Sequence, residues 1–162
     1  MLKVMLSALC VLAAASPLSA AITAASIAGR WQGDSYAGDA GGPLVLDIVA
    51  CGSGWCGVKV EAGDKCGGTA LRIDAGVAET GSDYIQFKGT LQLAPGTEPY
   101  VVQTSIFLPV PDDPPGAPLK LQITGDTGGE FRAYRRSFPF EAQMARVKDA
   151  VCHAPQTVSA LR

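Results

Sequence analysis

Histidine is nearly absent from this chain: His153 is the only one. A Ser-His-Asp triad would have to use it, yet it directly follows Cys152 near the C-terminus. An exposed tail residue that favours a helix C-terminus when charged is the simpler role. Aromatic residues make up only 7% of the sequence and charged residues 17%. No block of like charge stands out, and 13 basic residues face 15 acidic ones. Nucleic acid and anionic membrane surfaces both require a basic face, so neither is expected as a partner. Long apolar runs are missing after the opening residues MLKVMLSALCVLAAASPLSAA, and nothing later is apolar enough to span a bilayer.

The opening segment itself has the layout of a secretory signal. Lys3 supplies a short positive start, Val4 to Ala15 an apolar core, and Pro17 a helix break. Ser19-x-Ala21 is a small-x-small pattern, which places cleavage after Ala20 or Ala21. Cys10 follows Leu9 inside the apolar core, so it reads as a small apolar residue and not as a lipidated cysteine. Residues 1–21 are thus expected to be a signal peptide and residues 22–162 a single domain. Losing Lys3 leaves 12 of the 13 basic residues against 15 acidic ones, a formal charge of −3. The mature chain is expected in the periplasm or outside the cell, with no stable membrane insertion.

Four cysteines remain: Cys51, Cys56, Cys66 and Cys152. An even number in an exported domain reads as two disulfides. Cys51 and Cys56 flank Gly52-Ser53-Gly54-Trp55 between two strand-like runs, a hairpin signature that brings them within bridging distance. Cys66–Cys152 is then the complementary bridge, and pairing of Cys66 with Cys51 or Cys56 is the alternative. Zinc is disfavoured because Cys66 and Cys152 form no second matched pair, although His153 could complete a ligand set. A thioredoxin-type pair needs two intervening residues and a helix, and the glycines deny the helix. No metal or cofactor is expected.

The rest of the mature chain is a series of short alternating runs broken by turn residues. Leu44 to Val49, Gly57 to Glu61, Tyr84 to Leu93, Tyr100 to Leu108, Leu119 to Thr124 and Glu130 to Arg136 all read as strands. The proline-rich stretch 109–118 reads as a rigid loop. Only 141–151 reads as a helix, because Met144, Val147 and Val151 recur at helical spacing. The expected fold is all-β: a small antiparallel up-and-down barrel of about eight strands, lipocalin- or calycin-like, plus a C-terminal helix.

Gly29-Arg30-Trp31, the run Ile48 to Gly57, Cys66-Gly67 and Leu119 to Gly125 carry a resemblance. The chain resembles an uncharacterised family of secreted bacterial proteins with a Cys-Gly-x-x-Leu-Cys-Gly signature after a Trp-bearing first strand. Trp55 stands where that family has leucine. The resemblance implies a lipocalin-like barrel outside the cytoplasm and no known reaction. It also implies that Trp31 closes the barrel base beneath an arginine of the last strand, for which Arg132, Arg135 and Arg136 are the candidates.

Catalytic signals are thin. Asp126-Thr127-Gly128 copies the aspartic-protease triplet, but Gly125 and Gly129 flank it as turn chemistry. Asp47 reads as an outward residue on a half-buried strand. Asp112 and Asp113 are adjacent but form no calcium loop, so a solvated loop tip is expected. The expectation is a non-enzymatic periplasmic barrel, binding a small apolar ligand or serving an accessory role in the cell envelope. The alternative is a module that contacts an envelope protein or glycan through the 109–118 loop, with Trp55, Asp112 and Asp113 as its surface. A hydrolase is the remote alternative.

Overall fold

The computed structural model describes residues 22–38, 40–127 and 139–154. The signal-like opening lies outside the described residues. A 3₁₀ turn at Ala24–Ile27 leads into eight strands. They are β1 (Gly29–Ala37), β2 (Ala40–Cys51), β3 (Gly54–Glu61), β4 (Lys65–Thr80), β5 (Tyr84–Leu91), β6 (Tyr100–Phe107), β7 (Lys120–Asp126) and β8 (Phe140–Lys148). Each strand pairs antiparallel with the next, and β8 returns to pair with β1. The result is a closed up-and-down barrel. Closure gives every strand two neighbours, although residues 77–80 of β4 run past β3 and pair with β5 alone.

Alternation of side chains builds the wall, because successive residues of a strand point to opposite faces. Leu44, Leu46 and Ile48 of β2 point inward, as do Ile85, Phe87 and Leu91 of β5 and Phe140, Ala142 and Met144 of β8. With Trp31, Leu71, Ile106, Leu121 and Ile123 they make one core inside the barrel. Trp31, Phe87 and Phe140 are fully buried there. An eight-strand barrel is just wide enough for such side chains to fill it.

Two glycines are dictated by geometry. Gly52, at φ 59°, opens the two-residue turn Gly52-Ser53 between β2 and β3. Positive φ costs glycine nothing and suits the twist of a tight hairpin. Gly33 lies where β1 and β8 approach closely: a Cβ there would sit 1.9 Å from the carbonyl oxygen of Gln143.

The expected C-terminal helix is not formed. Residues 140–148 are β8, which bonds to β1 on one side and β7 on the other. The helical spacing of Met144, Val147 and Val151 misleads, since Val147 and Val151 are exposed while Phe140, Ala142 and Met144 alternate inward. Without a strand here β1 and β7 would each keep an open edge, and that tertiary demand outweighs local helix preference. The run 130–136, read as the last strand, lies outside the described residues. β4 is the longest strand described, running 16 residues. Its register against β3 and β5 shifts at several points, which is why its alternation is hard to follow in sequence.

Candidate functional site

The outer wall of β1 to β4 carries a polar cluster that the chain itself covers. Arg30 of β1 and Asp47 of β2 are cross-strand partners pointing away from the core. Even so, Arg30 is 3% and Asp47 0% exposed. Their contact is bidentate: Arg30 Nε donates to Asp47 Oδ1 at 2.6 Å and Nη2 to Oδ2 at 2.9 Å. The third guanidinium nitrogen, Nη1, donates to Asp64 in the β3–β4 turn. Lys148 Nζ lies 3.9 Å from the same carboxylate.

The cover is the segment after β8. The backbone N–H groups of Val151 and Cys152 donate to Asp47 Oδ2 at 2.9 and 2.7 Å. Cys152 is itself bonded to Cys66 of β4, with Cα atoms 5.6 Å apart. Beside it lies a small apolar cluster of Val58, Val60, Val45 and Val49, on which Cys152 packs. Burial alone would push the Asp47 carboxyl up. The Arg30 guanidinium and the two amides more than offset this and hold it below the usual carboxylate range. The bond to Asp47 raises the Arg30 guanidinium, against the opposing effect of burial and with further help from Asp64. This is a fully bonded structural ion pair, and all three guanidinium nitrogens are in use.

The second disulfide joins Cys51 to Cys56 across the β2–β3 hairpin, with Cα atoms 5.7 Å apart. The cysteines are not directly opposite: Cys51 faces Gly54, and Cys56 faces Val49. With Cys51, Cys56, Cys66 and Cys152 in disulfides, no cysteine among the described residues is free to hold a metal. Among the described residues no group of His, Cys, Asp and Glu is placed to hold one.

Trp31 is buried beside the 3₁₀ turn Ala24–Ile27, and its Nε1 donates to the carbonyl of Ile27 at 2.8 Å. Arg132, Arg135 and Arg136 lie outside the described residues. The arginine near this end of β1 is Arg146 of β8, the register partner of Trp31. Its Nε donates to the Ala28 carbonyl at 3.3 Å and its Nη2 to Asp149 at 2.7 Å. Sequence reasoning missed it because 141–151 reads as a helix.

Trp55 is not at a hairpin tip. It lies within β3 and is half-buried against the barrel core, opposite Ala50 and Ile73. Asp112 is exposed in the 108–119 loop, whereas Asp113 works as a loop staple. It accepts from the Val110 N–H at 2.9 Å and from Lys120 Nζ at 2.9 Å. Lys120, and then the Val110 amide, hold the Asp113 carboxyl below its ordinary value. The three residues proposed as one surface are thus a wall residue, a solvated loop residue and a staple. Asp126 ends β7, and among the described residues its carboxylate meets only the neighbouring Thr127 hydroxyl, at 3.5 Å. His153 is exposed. Among the described residues no nucleophile–base pair is assembled.

Ligand-sized clefts lie on the outer wall. One of about 730 Å³ runs beside the covered ion pair, past Val45, Val60 and Lys148. One of about 450 Å³ lies on β7, β8 and β1 between Gln32, Phe107, Gln122 and Gln143. A third, of about 460 Å³, adjoins it at Gln143 and includes Asp34, Tyr36 and Glu141. Their volumes fall within the range of small-molecule sites, about 300–1,000 Å³.

Two disulfides on a small β-barrel point to an oxidising, extracytoplasmic setting. Compared with known proteins, the chain matches no protein-family model, no curated protein and no solved structure.

Proposed function

We propose that this chain is an exported, non-enzymatic barrel of lipocalin type. It works in the periplasm or outside the cell, and it acts through its outer wall. The observation that carries this reading is the packed lumen. Trp31, Phe87, Phe140, Leu46, Ile106 and Ile123 are fully buried inside the barrel, while the ligand-sized clefts lie outside it. A lipocalin-type carrier of an apolar ligand needs lumen space that these side chains take up. The Gly29-Arg30-Trp31 opening and the buried Trp31 support the lipocalin-type assignment. The export reading rests on the signal-like residues 1–21 together with the two disulfides.

Native mass spectrometry of the protein taken from the cell envelope tests the proposal. The expected result is a chain shortened by about twenty residues, carrying both disulfides and no small apolar passenger. A stoichiometric apolar ligand released only on unfolding would overturn the outer-wall reading and restore an internal carrier.

A further inference from the structure

The two halves of the outer wall differ in kind. On β1 to β4 the chain seals its own surface with the Arg30–Asp47 pair, the 149–152 segment and the Val58–Val60 cluster. On β5 to β8, continuing onto β1, the outward positions are rich in amides. Five of the chain's seven glutamines lie there: Gln32, Gln86, Gln103, Gln122 and Gln143. The strand register sets Gln122, Gln143 and Asp34 side by side across β7, β8 and β1. The same register puts Gln32 and Ala145 in the adjoining row on one side, Glu141 and Tyr36 on the other. The clefts of about 450 and 460 Å³ meet at Gln143 within this array.

We propose that the outer wall of β7, β8 and β1 is a binding site for a neutral oligosaccharide, centred on Gln122, Gln143 and Asp34. This rests on the reading that the barrel acts through its outer wall. Sugar hydroxyls both donate and accept, and a carboxamide offers two donors and an acceptor in one plane. Rows of amides about 4.8 Å apart, the usual strand spacing, can therefore meet several hydroxyls of one chain. The Gln143 Nε2 donates to Glu141 at 2.9 Å, which orients that amide before any ligand arrives. Tyr36, 58% exposed, stands at one side of the array, and the half-buried Phe107 at the other. Such rings offer an apolar face to the C–H side of a sugar.

The charge on this wall selects neutral ligands. Lys120 is taken up by Asp113, and Asp34 and Glu141 remain beside the clefts. A polyanion would need an excess of basic groups here. A stable protein partner would need a core enriched in aromatic and apolar side chains, not rows of amides.

The test is titration of ¹⁵N-labelled mature protein with two probes, maltohexaose and chitohexaose, followed by NMR. Saturable shifts confined to the side-chain amides of Gln32, Gln122 and Gln143, with the Trp31 indole unmoved, are expected for at least one probe. The double variant Gln122→Ala/Gln143→Ala should weaken binding at least tenfold while keeping its melting temperature. Undiminished binding by that variant, or no saturable shift with either probe, overturns the glycan proposal. If in that case a protein cross-links to this wall, the outer-wall reading survives alone. A ligand that shifts the Trp31 indole and the lumen residues overturns both.

Discussion

Arg30 and Asp47 point away from the barrel core, yet they are among its most deeply buried charged side chains. Each is held by the other in a bidentate contact, and Asp47 also accepts two backbone amides from residues more than 100 positions away in sequence. Removing one partner leaves a buried charge with nothing to balance it. Asp47→Ala should cost about 3–5 kcal/mol, as breaking buried pairs generally does. The double variant Arg30→Met/Asp47→Leu should recover much of that loss, because apolar replacement removes both desolvation costs. Urea unfolding of the three proteins measures this. A double variant as unstable as Asp47→Ala would show that the amides of Val151 and Cys152, and not Arg30, dominate the site.

The same carboxylate sets a pH dependence. Its folded pKa lies below the unfolded value of about 3.9, so its stabilising contribution is fully present above that value. The contribution is lost as the pH falls through the folded pKa. Stability measured by denaturant titration should therefore hold level from pH 7 to about pH 5 and then drop below pH 4. Asp47→Asn should start lower and show a shallower acid fall. An identical acid slope in both proteins would move the cause to other carboxylates.

The two disulfides should differ in worth. Chain-entropy reasoning assigns about 4.6 kcal/mol to a closed loop of 86 residues and about 2 kcal/mol to one of 5. Cys66→Ser/Cys152→Ser should accordingly lower the melting temperature well beyond Cys51→Ser/Cys56→Ser. The larger loss should come with increased amide hydrogen exchange at Val151 and Cys152, whose bonds to Asp47 depend on that tether. Equal effects of the two pairs would mean that the 149–152 segment stays docked without its bridge.

The tryptophans give an optical check. Trp31→Ala removes a fully buried ring and a hydrogen bond to Ile27, and should cost about 3–5 kcal/mol. Trp55 is half-buried on the core, so Trp55→Ala should cost less, about 1–2 kcal/mol. Fluorescence of the Trp55→Ala protein, which reports Trp31 alone, should be blue-shifted relative to the Trp31→Phe protein. The reverse order of emission would invert the assignment of the two environments.

Thr104 on the inward face of β6 offers a change in the opposite direction. Its hydroxyl is buried and has no partner among the described residues. Thr104→Val keeps the shape and removes the unpaired group, so it should raise stability by about 1 kcal/mol. A loss of stability would reveal a bond to that hydroxyl.

Much of the fold is legible in the sequence because strands write themselves locally. Leu44-Val45-Leu46-Asp47-Ile48 and Tyr84-Ile85-Gln86-Phe87 alternate at the pleat period, and turn residues separate the runs. The Cys51–Cys56 hairpin is local too, which is why its bridge could be anticipated from spacing alone. The residues of β8 are ambiguous by themselves. Glu141-Ala142-Gln143-Met144-Ala145-Arg146 are nearly all good helix formers. Only the open edges of β1 and β7 make them a strand, and those edges exist only once the barrel is nearly closed.

Asp47 marks the same boundary from the side of the site. Its outward direction follows from the alternation of Leu46 and Ile48, and that much is local. Its burial is decided by a segment that follows β8 and is pinned through Cys152 to Cys66. The array of Gln122, Gln143 and Asp34 is likewise invisible along the chain, since its members are 21 and 109 positions apart and meet only through strand register. Sequence by itself determined which residues face in or out along most strands, because side-chain direction is a property of neighbouring residues. Tertiary structure decided which strands exist at the closure, which outward charges are covered, and which amides share a surface. Each of those depends on chain segments brought together from far apart, and no local pattern records that.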